Sequence, residues 1–229
     1  MTFHVLSLIL AGILSFADYV TEQIFSKKIM RNQKLVSFSS GAAISYILLS
    51  LFPEISSYAL IDGKKLFVYA LIGFVSLNLI EQYIYKNFGR VKSLSSYHKH
   101  IRITYFFIYN FFIGIVLVSF SIKGLAKTLL FFIPFLLYII AEILPQEFAF
   151  KNNLLKILYS MAPIFGAIIG VYYVDYVAIF FGSLISFITG TLLYIVIKEF
   201  LPTEDAEKPL YFIIGIIFYA LIISVSWIF

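Results

Sequence analysis

The sequence predicts an all-α integral membrane protein, a bundle of about eight transmembrane helices with an inverted-repeat architecture. Three observations predict it. The 229 residues are 62% hydrophobic and 13% charged, with a mean hydropathy of +0.98, and a soluble domain of this size cannot hide so much apolar surface from water. The apolar residues fall in runs of about one bilayer crossing each, with the basic residues in the gaps. Two of the runs, the second and the seventh, repeat each other in their Ser, Gly and Pro positions.

The runs lie at about 2–21, 35–52, 65–84, 103–122, 128–147, 153–174, 176–200 and 209–228. A crossing takes roughly 20 residues, so residues 1–229 read as a single polytopic transmembrane domain with no separate soluble part. The first run lacks a basic segment before it and is followed by its lysines, so it reads as a retained helix and not a cleaved leader. The thinnest boundary is at Asp175, where little more than Tyr172 to Tyr176 separates the sixth and seventh runs. A seven-helix count is the rival there.

Orientation follows from the distribution of Lys and Arg over short loops. Lys27, Lys28, Arg31, Lys34, Lys86, Arg90, Lys92, Lys99, Arg102, Lys151, Lys156, Lys198 and Lys208 fall on one side, against Lys64, Lys65, Lys123 and Lys127 on the other. The richer side is expected to be cytoplasmic, which puts both termini of an eight-helix chain outside, in the cell membrane.

In the second run, Ser37-Phe38-Ser39-Ser40-Gly41 leads to Phe52-Pro53-Glu54. In the seventh, Ser186-Phe187-Ile188-Thr189-Gly190 leads to Leu201-Pro202-Thr203-Glu204, and Gly and Pro are 12 apart in both. These helices cross in opposite directions, the arrangement of an inverted-topology repeat and of transporters that rock about a central site. Chance recurrence of Ser, Gly and Pro in apolar sequence is the competing explanation. Gly166 and Gly170, then Gly182, Ser186 and Gly190, step by four and predict close helix packing.

Several functions are excluded. With no cysteine there is no disulfide framework, thiolate metal site or cysteine nucleophile. No HExxH, G-x-S-x-G or phosphate-binding glycine loop is present, so no enzyme and no cofactor are expected. The net charge of +5 sits between apolar runs, where headgroups explain it better than nucleic acid does. His98-Lys99-His100 reads as part of a solvated loop, the longest cytoplasmic connection.

An ionised carboxylate at the bilayer centre costs at least about 2.5–3.5 kcal/mol, so each one needs a partner or a wet cavity. Glu142 is the strongest case. It shares a helical face with Tyr138 and Gln146, and Pro145 leaves the Ala141 carbonyl without its helical donor. Tyr109 and Asn110 on the preceding helix reach a similar depth, roughly 10–14 Å below the boundary, and the short loop at 121–127 makes the two helices antiparallel neighbours. The alternative is that Asn110 only bonds between helices while Glu142 pairs with a lysine or is protonated. Asp18, Glu22, Asn78, Glu81 and Glu199 fall toward the cytoplasmic helix ends. They either line an acidic vestibule or are separately solvated or paired with lysines.

The order of these features resembles the ZIP family of divalent-metal transporters. Phe38 to Glu54 is similar to that family's glycine-to-LPE segment, and Gly190-Thr191-Leu192-Leu193-Tyr194 through Pro202 to its GTxLY...LP segment. Tyr109-Asn110-Phe111-Phe112-Ile113-Gly114 resembles HNxxDG, and Glu142-Ile143-Leu144-Pro145-Gln146-Glu147 resembles HExPHE. The resemblance implies eight helices with both termini outside. It also implies a metal site at Glu142, Asn110, Gln146, Tyr109 and Glu147. The chain departs where the chemistry lies: Tyr109 stands for a histidine, Ile113 for an aspartate, and Glu142 and Gln146 for two more histidines. Oxygen donors of this kind suit Mg²⁺, Mn²⁺ or Ca²⁺ better than Zn²⁺.

The expected function is therefore secondary transport of a divalent metal cation through an oxygen-rich intramembrane site. A non-transporting ZIP-fold protein with a binding or regulatory role is the alternative. The expected partners are the lipid bilayer and the divalent cation as substrate, and the chain is compatible with a homodimer.

Overall fold

A computed structural model describes residues 2–25, 33–88, 96–141, 153–200 and 208–227. Among them every regular element is a helix. In chain order these are α1 (Thr2–Phe25), α2 (Gln33–Tyr46), a π-turn (Ile47–Leu51), α3 (Phe52–Asp62), α4 (Lys65–Phe88) and α5 (Ser96–Ile122). There follow α6 (Leu125–Ala141), α7 (Asn153–Ser160), α8 (Ala162–Tyr172), α9 (Val174–Ile195), a second π-turn (Val196–Phe200) and α10 (Pro209–Ser226).

Six stretches are long and apolar enough to cross a bilayer: Phe3–Thr21, Gln33–Asp62, Lys65–Tyr83, Ile103–Ile122, Val174–Lys198 and Pro209–Ser226. The pair α7 and α8, bent by 45°, makes a seventh, and α6 is a shorter apolar helix. Their outward faces carry Ile9, Phe16, Leu71, Ile179 and Leu221, all exposed. A lipid bilayer is the environment that such faces fit, and the chain is a multi-pass membrane protein.

Direction can be read from contacts along α5. Phe107 meets Tyr159 and Gly170 meets Val118, so α7 and α8 run with α5. Phe120 meets Phe181, Phe112 meets Phe187 and Tyr105 meets Thr191, so α9 runs against it. The two runs flanking Asp175 therefore travel in opposite senses, reversing around Tyr173. α6 also runs against α5, with Phe120 on Phe131 at one end and Tyr109 on Tyr138 at the other. The expectation of antiparallel neighbours holds.

Glycines set the closest approaches. Gly41 faces the Phe212 carbonyl and Gly215 that of Phe38; Gly190 faces Ala70 and Gly73 faces Phe187; Gly114 faces Pro163 and Gly166 faces Phe111. In each case a Cβ would fall under 3.0 Å from a backbone oxygen, so side chains are excluded and the backbones pack directly. These crossings tie α2 to α10, α4 to α9 and α5 to α8.

Two expectations need correction. The second run was expected to end near 52, yet the helix continues to Asp62. Proline is tolerated in a first turn, and Pro53 occupies that position of α3 directly after the π-turn. Termination falls instead on Gly63, whose φ of 86° favours glycine and whose amide bonds the Ala59 carbonyl. His98-Lys99-His100 is not a loop but lies in the opening turns of α5.

The two π-turns occupy equivalent places. Ile47–Leu51 begins six residues after Gly41, and Val196–Phe200 begins six after Gly190. A proline has no amide for the carbonyl four residues back and crowds it. For Pro53 that carbonyl belongs to Leu49, inside the first π-turn; Pro202 lies outside the described residues, four positions after Lys198 in the sequence. Widening the helix there relieves the clash: the Phe52 amide bonds the Ile47 carbonyl, five residues back.

Candidate functional site

Tyr109 and Asn110 are carried inward by α5. Tyr109 is fully buried, its ring edge-on to Tyr138 of α6 with centroids 6.4 Å apart. Asn110 is buried too, and its Oδ1 has no hydrogen-bond partner among the described residues. A buried amide oxygen without a donor costs about 1–3 kcal/mol, which makes it a place where a cation or a water is welcome. Ile113, where the resemblance expects an aspartate, is buried among apolar side chains. The remaining predicted donors, Glu142, Gln146 and Glu147, lie outside the described residues, which stop at Ala141.

A second polar seam runs between α4, α5 and α9. Tyr105 brings its hydroxyl to 3.1 Å from Ser76 Oγ and 2.8 Å from Thr191 Oγ1, and both of those hydroxyls donate to the Gly73 carbonyl, at 3.0 and 3.2 Å. One turn further along α9, Tyr194 donates to Glu81 Oε2 at 3.0 Å, with Asn78 Oδ1 also in reach at 3.4 Å. Gln82 donates to the same Asn78 oxygen at 3.0 Å. Glu81 is buried and forms an ion pair with Lys198, whose stem emerges half-exposed from the second π-turn.

A matching pair lies toward the opposite end. Glu54, in the first turn of α3, pairs with Lys123 at the α5–α6 corner. Lys123 also lies over three rings, 4.0 Å from the centroid of Phe181, 4.7 Å from Tyr58 and 5.2 Å from Phe120. Phe181 and Lys198 are 17 residues apart on one helical path, about 25 Å at 1.5 Å per residue, so the two pairs flank most of a bilayer core. Beside Glu54 a cavity of 380 Å³ opens between the first π-turn, the start of α6 and the end of α10.

No protein-family model, curated protein or solved structure matches this chain. The site therefore rests on its own geometry. Among the described residues no three His, Asp or Glu side chains converge. What the described residues offer instead is a set of neutral oxygens, with the lysine-paired carboxylates of Glu81 and Glu54 toward opposite ends.

Sequence reasoning placed Asn78 and Glu81 at a helix end, but the structure brings them together with Tyr194 and Lys198. It missed Ser76 and Tyr105, and it named Thr191 within the GTxLY-like segment without giving it a role. Asp18 is half-buried near the end of α1, while the side chains of Glu22 and Glu199 lie outside what is described.

Proposed function

We propose that the chain is a ZIP-like secondary transporter, with eight crossings in an inverted repeat, that moves a divalent metal cation across the membrane. The observation that carries this reading is the pair of π-turns at equal offsets from Gly41 and Gly190, each followed by proline in the sequence. Irregular helix turns at corresponding places in two halves fit the inverted repeats on which transporters of this kind are built.

The cation would meet Asn110 Oδ1 and, by the resemblance, the Glu142 carboxylate, with Tyr109, Gln146 and Glu147 nearby. One charged and several neutral oxygens bind a hard divalent ion weakly enough to release it. A non-transporting role is the second reading, and the lysine pairing of Glu54 and Glu81 favours it, because each cation-attracting carboxylate is already neutralised.

The test is melting temperature in detergent with Mg²⁺, Mn²⁺, Ca²⁺ or Zn²⁺. A substrate ion at 100 times its Kd stabilises by about 2.7 kcal/mol. At least one of the first three is expected to raise the midpoint, and Asn110→Leu to reduce that rise. If no ion shifts the wild-type protein, the cation reading fails.

A further inference from the structure

Gly12 is the exception among the helical glycines. Eight others (Gly41, Gly73, Gly114, Gly166, Gly170, Gly182, Gly190 and Gly215) have another element within 4 Å of where a Cβ would stand, whereas Gly12 has nothing there. A glycine in a helix interior is destabilising relative to alanine, and no neighbouring helix among the described residues accounts for it. The space belongs to a groove of 430 Å³ on the flank of the bundle. One wall is α1 from Gly12 to Tyr19 and the other is the bent pair α7–α8 from Ile157 to Ile164.

The groove is apolar along most of its length but not at its floor or its end. Ser15 lines it with a buried Oγ that has no hydrogen-bond partner among the described residues. Just beyond the Tyr19 end, behind the residues that line the groove, stands Lys156, 6% exposed, its ammonium 5.3 Å from the Tyr19 ring centroid. None of the ion pairs formed among the described residues involves Lys156. A cation so removed from water calls for an anion, and an aromatic face supplies only part of one. Lys156 sits in the first turn of α7, at the same end of the bundle as Lys34, Lys86 and Lys198, where headgroups lie.

We infer that this groove binds one anionic phospholipid, with an acyl chain over Gly12 and the headgroup phosphate at Lys156. A slender occupant fits better than a helix from a second copy, because a helix about 10 Å across fills about 400 Å³ in each turn. Charge selects the headgroup: a lysine at the membrane surface favours an anionic over a zwitterionic lipid by about fivefold.

The experiment is native mass spectrometry of the full chain in neutral detergent with equimolar dioleoyl-phosphatidylglycerol and dioleoyl-phosphatidylcholine. The wild-type protein is expected to retain one phosphatidylglycerol, about fivefold over phosphatidylcholine. Lys156→Gln should bring that preference close to one, and Lys156→Arg should keep it. Gly12→Leu should displace both lipids without lowering the melting temperature, since its side chain enters open space. A wild-type protein without headgroup preference overturns the proposal. So does undiminished lipid retention in a folded Gly12→Leu variant. A dimer that Gly12→Leu splits while lipid retention is unchanged also overturns it, and assigns the groove to a second copy of the chain.

Discussion

Gly41 and Gly215 are each pressed against the backbone of the other's helix. A methyl group on Gly41 would collide with the carbonyl oxygen of Phe212, three residues before Gly215, and one on Gly215 with that of Phe38, three residues before Gly41. The same reciprocal pattern joins Gly73 to Phe187 and Gly190 to Ala70. Backbone cannot give way as a side chain can, so Gly41→Ala and Gly190→Ala should each destabilise by about 1–3 kcal/mol through overpacking. Gly12→Ala, in open space, should instead gain about 0.5–1 kcal/mol. Melting temperatures of the three variants in one detergent check the contrast. Equal effects at all three positions would contradict the close-packed crossings.

The Glu81–Lys198 pair is asymmetric. The carboxylate is buried while the ammonium side chain is 47% exposed, so removing either partner leaves a different problem. Lys198→Met takes the cationic partner from a buried carboxylate and should cost about 3 kcal/mol, the lower end of the range for breaking a buried pair, because Tyr194 still donates to Glu81. Glu81→Gln leaves a lysine that can reach the headgroups and should cost under about 1 kcal/mol. Thermal denaturation of both variants reads the order, and a more costly Glu81→Gln would contradict the burial of the carboxylate in this pair.

Tyr105 and Thr191 share a hydrogen bond between α5 and α9, although 86 residues separate them. Such contacts within membranes carry about 0.6 kcal/mol on average. A double-mutant cycle with Tyr105→Phe and Thr191→Val should give a coupling of that size, about 0.5–1 kcal/mol. Strict additivity would mean that the seam does not hold α5 to α9.

These contacts explain how far the sequence could be read. Run length sufficed for the helices, because a bilayer demands about 20 apolar residues and little else. The apolar run that ends near 52 misled, since Pro53 stands in the first turn of α3, where proline is tolerated, and the helix goes on to Asp62. Ser76 was invisible, and the bonding role of Thr191 unread, because a lone hydroxyl in an apolar run has no neighbours in sequence to announce its role. Only the parallel packing of α4 on α9 brings Glu81 to Lys198. Gly41 and Gly190 were noticed through their repeat, whereas their partners Gly215 and Gly73 have no matching motif. Of the metal-site residues expected from the resemblance, Tyr109 and Asn110 are buried on α5, and Glu142, Gln146 and Glu147 fall outside the described residues.

The proposed eight crossings put residues 1 and 229 on the same side, away from the lysine-rich loops. Reporter fusions at Met1 and Phe229 read this directly. Opposite sides would remove the eight-helix count and, with it, the inverted repeat.

Transport itself is tested most directly by ion uptake into proteoliposomes, measured in parallel for Mg²⁺, Mn²⁺, Ca²⁺ and Zn²⁺ on the wild-type protein and on Glu142→Gln. The substitution keeps the shape of the side chain and removes the charge that would dominate attraction in a poorly solvated site. The account predicts wild-type uptake of at least one of Mg²⁺, Mn²⁺ and Ca²⁺, a fall of about tenfold or more in Glu142→Gln, and an unchanged or higher melting temperature for the variant. Absence of wild-type uptake for all four ions would contradict the transporter reading, and normal uptake by a Glu142→Gln variant would contradict the role given to that carboxylate.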